Sequence, residues 1–528
     1  MNFNSSFIRD PRTRFYRPVR RILFTENVER AEILVDSQVF QNVIHYLPDP
    51  VVIHPGGSMI LDFGSAFHGG VRINPYTANA SLRLKFGESV SETLGASDQD
   101  SSRKDALVEL PNYGQFEYGS TVFRFIRVSN ESEKDVWIQS LIGVVLERDL
   151  EVTGSFESSD DRLNQIWTTA VRTVHLCMQD YIYDGAKRDR VVWMGDMHPE
   201  IKTILCAFSD PSIIRDSIEF LIRQTPPGQP LNMVNTYSCW FIISLWDYLC
   251  VTGDTTFIRD NMAFIKAILA MYCAYVREDG AETVPERRFL DWPTEDSPEA
   301  KHAGIQALML WMMQDGEKLL RFMGEDASNV QHVKELLKKH VPDPMGRKAC
   351  AALQTIVGLA NRQDVMEQDP FRNVSTFYGY YMLLAKQTLP ALELIRKYWG
   401  GMLNFGATSF WEDFNLDWTE NAYGIDSLPV PGKKDIHGDY GNYCYKGLRH
   451  SLSHGWSSGP APFLSERVLG VRFTAPGTVR IKPDLGDLEF VRGTIPSQFG
   501  LIHVEADRSG KVKTDIPAGL KVVTPDGK

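Results

Sequence analysis

Asp161-Arg-Leu-Asn-Gln-Ile-Trp-Thr-Thr-Ala-Val-Arg-Thr-Val174 puts Leu163, Ile166, Trp167, Ala170 and Val174 on one face of a helix. It follows Ser158-Ser-Asp-Asp161, and the character of the chain changes there. Upstream, short β-branched and aromatic runs read as strands: Ala31-Glu-Ile-Leu-Val35, Met59-Ile-Leu-Asp-Phe63 and Val122-Phe-Arg-Phe-Ile-Arg-Val128. Pro55-Gly-Gly, His68-Gly-Gly, Gly114 and Gly119 read as turns between them. This spacing suggests a β-sandwich over residues 1–152.

Downstream, apolar residues recur at helical spacing. Ser209-Asp-Pro starts one helix, and Ile258 to Val276 forms another with Ile265, Ile268, Leu269, Tyr272 and Val276 inward. Further helices are predicted over 236–252, 299–323, 326–340, 345–361, 374–388, 390–400 and 447–458. Roughly ten to twelve helices across 153–465 suit a toroid of paired helices, with an open helical array as the alternative. Strands return after 466 at Val479-Arg-Ile-Lys-Pro, Leu488-Glu-Phe-Val, Leu501-Ile-His-Val-Glu and Leu520-Lys-Val-Val, so 466–528 reads as a small β domain.

The 528 residues suffice for several domains and a large core. No apolar run reaches membrane-spanning length, and a net charge of −11 argues against nucleic acid as a partner. Met1 to Arg21 is polar and basic without an apolar stretch, so no signal peptide is expected; the chain is expected to be cytoplasmic, or else a trimmed mature form. The seven Cys lie inside apolar patterns without metal-binding spacing and read as buried thiols.

Two stretches carry chemistry. In Asp184-Gly-Ala-Lys-Arg-Asp-Arg-Val-Val-Trp-Met-Gly-Asp196, three carboxylates, three cations and a Trp share thirteen residues. In Phe410-Trp411-Glu412-Asp413-Phe414, acids are wedged between rings, and burial beside rings raises a carboxyl pKa. Glycoside hydrolysis needs a protonated acid to release the leaving oxygen and a second carboxylate. The spacings of five and seven between Asp184, Asp189 and Asp196 do not put all three on one helix face, so a loop running into a helix is expected. Asp189 lies between Arg188 and Arg190, and could be an acid or a structural ion pair. Asp196 could be an active carboxylate or belong to an N-cap. Asp291, beside Trp292, could bind sugar hydroxyls or cap a helix. His454 could be structural or touch sugar. Ten of the eleven Trp fall between 155 and 465; Trp193, Trp292, Trp411, Trp418 and Trp456 sit beside polar residues, where rings can stack on sugars or fill core.

These residues resemble the α-L-rhamnosidases of glycoside hydrolase family 78. The first stretch resembles that family's Asp-Cys-Pro-Gln-Arg-Glu followed by Trp-Thr-Gly-Asp. Thr408-Ser-Phe-Trp-Glu412 resembles its Thr-x-Trp-Glu-x-Trp, and Ser451-Leu-Ser-His454 its Ser-Leu-Asn-His. The resemblance runs from about residue 20 onward and fits the β, α, β order. It implies an (α/α)6 barrel between β-sandwich domains and inversion at the anomeric carbon. It implies Asp189 as general acid and Glu412 as general base. Asp184 and Asp196 are implied as rhamnose-binding carboxylates, with Arg188, Trp193, Trp411 and His454 near the sugar. The acid position holds Asp where the family has Glu, one methylene shorter, and the chain is short for the family.

The expected function is therefore an inverting exo-hydrolase that removes terminal α-L-rhamnose from a glycan or plant glycoside, needing no metal or organic cofactor. Its expected partner is carbohydrate, with no nucleic acid and no membrane; the oligomeric state stays open. One rival is another helical-toroid hydrolase or a uronate polysaccharide lyase, which would show a pocket dominated by Arg and Tyr. The others are a non-catalytic carbohydrate-binding protein and a structural helical repeat, the last without a concave acid-lined pocket.

Overall fold

The computed structural model describes residues 8–41, 49–77, 80–95, 104–112 and 114–523. Part of the basic leading stretch, Met1–Phe7, and residues 524–528 of the C-terminal unit lie outside the described residues. The chain is a mixed α and β multidomain structure.

In the N-terminal part, seven strands join one hydrogen-bonded sheet around Val51–Pro75. That long strand pairs antiparallel with Arg21–Glu29 and Phe116–Ser129, and in parallel with Val136–Glu147. Pro55-Gly-Gly and His68-Gly-Gly, expected as turns, are irregularities inside it. A Cβ at Gly69 or Gly70 would collide with backbone carbonyls of Val144 or Tyr118, so glycine is needed where neighbouring strands close in. The predicted strand at 31–35 is instead a 3-10 turn over Ala31–Leu34, because Leu34 and Ala31 turn inward together onto the sheet core.

The helical part begins with Asp161–Cys177, whose N-cap Asp160 accepts from the amides of Arg162 and Leu163. Its five predicted inward residues are all buried. Six helices follow one another in contact: Met197–Ala207 packs on Asn235–Thr252, then Pro298–Phe322, Lys348–Ile356, Gly379–Ala385 and Pro460–Phe463, which returns to Met197–Ala207. Asn235–Thr252 is buried on nearly all sides, as its uniformly apolar sequence requires. Asp161–Cys177, Thr388–Asn404 and Ser328–Leu337 pack against members of this series. The predicted helix over Ile258–Val276 is broken at Asn261 into Thr255–Asp260 and Met262–Cys273. The stretch 447–458, predicted as helix, holds only the short 3-10 turns Gly447–Arg449 and Gly455–Ser458.

The C-terminal strands form a three-stranded and a four-stranded sheet. The latter contains Ser155–Ser158, from just before the first long helix, paired antiparallel with Phe490–Ser497. No helix among the described residues is long and apolar enough to cross a membrane.

Candidate active site

Three distant motifs meet because Ser451–His454, ahead of the 3-10 turn that begins at Gly455, is not helical and takes backbone hydrogen bonds on both sides. On one side the amide of Gly455 donates to the Asp184 carbonyl at 2.8 Å, and the amide of Ala186 donates to the Ser453 carbonyl at 3.1 Å. On the other, the amide of Glu412 donates to Ser451 and that of His454 to Phe410, at 2.9 and 3.0 Å. Asp184 also closes its own loop, accepting from the Val191 amide at 2.9 Å. The loop then runs into the helix that starts at Met197, as the spacing of its three acids requires.

Arg188 organises the charges. Its Nη2 donates to both oxygens of Glu412 at 2.6 Å, and its Nη1 lies 3.2 Å from Asp189 Oδ2. One guanidinium thus holds both carboxylates, so their facing oxygens are no more than roughly 8 Å apart, a bound that admits both the roughly 6.5–9.5 Å of inverting glycosidase pairs and the roughly 5–5.5 Å of retaining ones. His454 Nε2 lies 3.7 Å from Glu412 Oε1 and 3.7 Å from Asp184 Oδ2. Asp196 accepts from the Tyr237 hydroxyl at 3.0 Å and makes no N-cap bond. Trp193 meets the Tyr237 ring edge-on.

The two catalytic candidates sit in unlike surroundings. Glu412 is buried, and burial lifts its carboxyl to about 7 despite the Arg188 cation. The Asp189 side chain is 45% exposed, so it has none of the apolar cover that sequence reasoning asks of an acid. Asp189 and Arg190 both have left-handed backbone, φ 55° and 54°, a conformation that needs outside support. The N-terminal sheet supplies it: Arg190 donates to His68 Nε2 at 2.5 Å and to the Ser120 carbonyl at 3.1 Å. Burial pushes the His68 ring down to about 4, leaving it neutral and able to accept. Lys187, wholly buried, pairs with Glu92 at 2.9 Å and donates to the Leu448 and His450 carbonyls.

Burial, then the nearby Asp196, pushes Asp184 well above the usual carboxylate range; burial brings Asp196 to about 7. Burial drives His454 well below its usual value, so its ring is neutral. Asp184, Asp196 and His454 offer donor atoms within 4.8 Å of one another, the one group among the described residues spaced to hold a cation. The same donors suit the hydroxyls of a sugar.

Asp291 and Trp292 make no bond to this cluster; Asp291 lines a neighbouring cavity, and Trp292 packs edge-on against Phe289 and Tyr445. Asp291 accepts from the Thr294 hydroxyl and makes no N-cap bond, and Trp292 stacks on Tyr443. Trp411 is fully buried in the core against Phe414 and beside His450. Glu200 was missed by sequence reasoning. It is fully buried, neither carboxylate oxygen has a partner, and burial followed by Asp196 and Asp184 pushes its pKa well up. Its position four residues after Asp196, one turn along the same helix, was the available clue. Tyr237 and Trp456 were also not expected as support; Trp456 donates to the Glu412 carbonyl at 2.9 Å.

Residues 151–334 match the family described as bacterial alpha-L-rhamnosidase 6 hairpin glycosidase domain. This segment, roughly a third of the chain, is similar to a six-hairpin glycosidase domain. It contains the Asp184–Asp196 loop; Glu412 and His454 lie beyond the matched stretch. No curated protein sequence matches the chain. Among solved structures, the chain is similar to a family 78 rhamnosidase from Bacillus sp. GL1, with TM-score 0.71 and 19% identity over 91% of this chain and 55% of that one. A Klebsiella oxytoca rhamnosidase with rhamnose bound gives TM-score 0.67 and 20% identity over 86% and 95%. A Streptomyces avermitilis α-L-rhamnosidase complexed with L-rhamnose gives 0.70 and 17% over 90% and 50%. The chain thus spans about half the length of the first and third. These likenesses, all below 25% identity, establish the fold.

Proposed function

We propose that this protein is an inverting exo-hydrolase of terminal α-L-rhamnosides, and that its six consecutive helices form the inner ring of an (α/α)6 barrel. Asp189 protonates the leaving oxygen. Glu412 takes a proton from water on the opposite face of the sugar, and that water attacks the anomeric carbon. Asp184, Asp196 and His454 hold ring hydroxyls, and Trp193 covers an apolar face. The observation that carries this reading is the shared Arg188 guanidinium, which places Asp189 and Glu412 at one mouth beside the Asp184–Asp196–His454 cluster. A bound sugar would move Arg188 off Glu412 and cover the exposed Asp189 carboxyl. The lyase rival fits less well, because carboxylates rather than Arg and Tyr dominate the cluster.

The test is hydrolysis of an aryl α-L-rhamnoside within a panel of aryl glycosides, with Glu412→Gln and Asp189→Asn alongside. Loss of about 10²–10⁴-fold in kcat for Glu412→Gln, with rhamnose still bound, is expected. Turnover that survives both substitutions rejects the assigned roles, and turnover of a different glycoside alone rejects the sugar. Proton NMR of the first-formed product decides the stereochemistry: β-rhamnose supports inversion and α-rhamnose overturns it.

A further inference from the structure

Next to the cluster lies a cavity of about 170 Å³, walled by the residues that precede three of the six inner helices. Asp291 and Thr294 come from ahead of Pro298–Phe322, Arg347 and Lys348 from the start of Lys348–Ile356, and Ser375 and Tyr378 from ahead of Gly379–Ala385. Asp413 and Tyr443 complete the wall. Asp413 directly follows Glu412, so the cavity adjoins the reacting centre across one stretch of backbone. That backbone is fixed from both sides, since Thr376 and Trp456 each donate to the Glu412 carbonyl.

The Tyr378 side chain is 1% exposed, and its hydroxyl has no hydrogen-bond partner. A buried hydroxyl without a partner is costly, and a ligand in the cavity it lines removes that cost. The charges of the wall say what kind of ligand. Both cations are already engaged: Lys348 Nζ donates to the Asp369 and Arg372 carbonyls at 2.7 and 2.6 Å, and Arg347 pairs with Asp296 at 2.8 Å. Asp291 and Asp413 offer carboxylate oxygens, which accept from hydroxyls and repel another carboxylate. At the rim the Tyr443 ring, 48% exposed, stacks on Trp292 with centroids 6.1 Å apart, giving an apolar surface of the kind that receives a sugar face.

We propose that this cavity is a second sugar subsite, which holds one neutral pyranose ring of the same glycan, with Tyr378 donating to a ring hydroxyl. The inference rests on the glycosidase reading for its purpose, and names oligosaccharide rather than flat aromatic glycoside as the substrate class. The experiment is saturation-transfer NMR on the whole protein with L-rhamnose, methyl β-D-glucopyranoside and the matching methyl glucuronoside, followed by kinetics on a rhamnosyl-glucose disaccharide and an aryl rhamnoside. The glucoside should bind in the presence of saturating rhamnose, and the glucuronoside more weakly. Tyr378→Phe should lower the ratio of kcat/KM on disaccharide over aryl rhamnoside by about five- to tenfold, the worth of one buried hydrogen bond. Competition between glucoside and rhamnose, absence of glucoside binding, preference for the glucuronoside, or an equal effect of Tyr378→Phe on both substrates would each overturn the proposal. Glucoside binding beside rhamnose in a protein that cleaves no rhamnoside would uphold the subsite while the hydrolase reading falls.

Discussion

Lys187→Met isolates one of the contacts that fasten the N-terminal part of the chain to the active-site loop. In the native protein the Lys187 side chain is 2% exposed, with Nζ 2.9 Å from Glu92 Oε1 and 3.6 Å from Glu88 Oε2. Methionine keeps the length and loses the charge, leaving two buried carboxyls without a cation. Burial already lifts Glu88 from 4.5 to about 7, so at neutral pH that carboxyl is close to losing its charge anyway. The variant must take up a further proton on the pair. Protonating a carboxyl of ordinary pKa costs ~1.4 kcal/mol per pH unit above that pKa, hence about 3.4 kcal/mol at pH 7 and about 0.7 kcal/mol at pH 5. The Leu448 and His450 carbonyls lose their charged donor at both pH values, so that loss cancels in the comparison. Urea unfolding of both proteins at pH 5 and pH 7 should therefore show a destabilisation larger by about 2.7 kcal/mol at pH 7. If the whole chain unfolds together, the melting temperature at pH 7 should drop by about 3 °C, since unfolding entropy scales with length. Equal destabilisation at the two pH values would refute the argument, because it would mean that the buried pair never depended on the lysine charge.

The rate on aryl rhamnoside should fall on the acid side as pH drops through about 7, where Glu412 takes a proton and stops accepting one; a pH profile of kcat/KM reads this limb, and an acid limb near 4.5 would contradict it. Stability should move the other way. Asp184, Asp196, Glu200 and Glu412 have folded pKa values raised above their unfolded ones, so the native state binds the extra protons; their stabilisation is complete below about pH 4 and declines as pH rises toward 7. Melting temperature should thus be higher at pH 5 than at pH 7.5, and Glu200→Gln should flatten the dependence; an unchanged slope in that variant would count against it. Gly455→Ala drives a Cβ into Glu200 Oε1 in the bend that carries His454, and should cost about 1–3 kcal/mol and most of the activity; a variant with native stability and native kcat would show that the bend tolerates a side chain.

The helices were legible where one face is apolar over many turns, as in Asp161–Cys177, because burial of that face fixes the element. The stretch 447–458 misled because Leu448, Leu452 and Trp456 recur at intervals of four. Its backbone bonds to Asp184, Phe410 and Glu412 outweigh that local period, and no local pattern reports partners so distant. The acids of the site were legible as unusual composition. Their meeting was not, since Arg188 could have turned toward Asp189 alone; only the fold brings Glu412 onto the same guanidinium. Glu200 looked like an ordinary first-turn acid, and its isolation depends on Gly455 approaching from the far end of the chain. The N-terminal sheet read as a separate unit, although His68 and Glu92 reach the loop that carries Asp189.

The strand Ser155–Ser158 has a bearing on how the molecule comes to be made. Ser155 bonds with Thr494, 339 residues away in sequence. On the ribosome, this strand emerges before the helices from Asp161 to Phe463 and waits with a bare edge while they are synthesised. The clasp shuts only when Phe490–Ser497 has left the exit tunnel, so the helical domain gains this fastening after its own helices have been made. A nascent chain halted before that point would expose the edge to its neighbours.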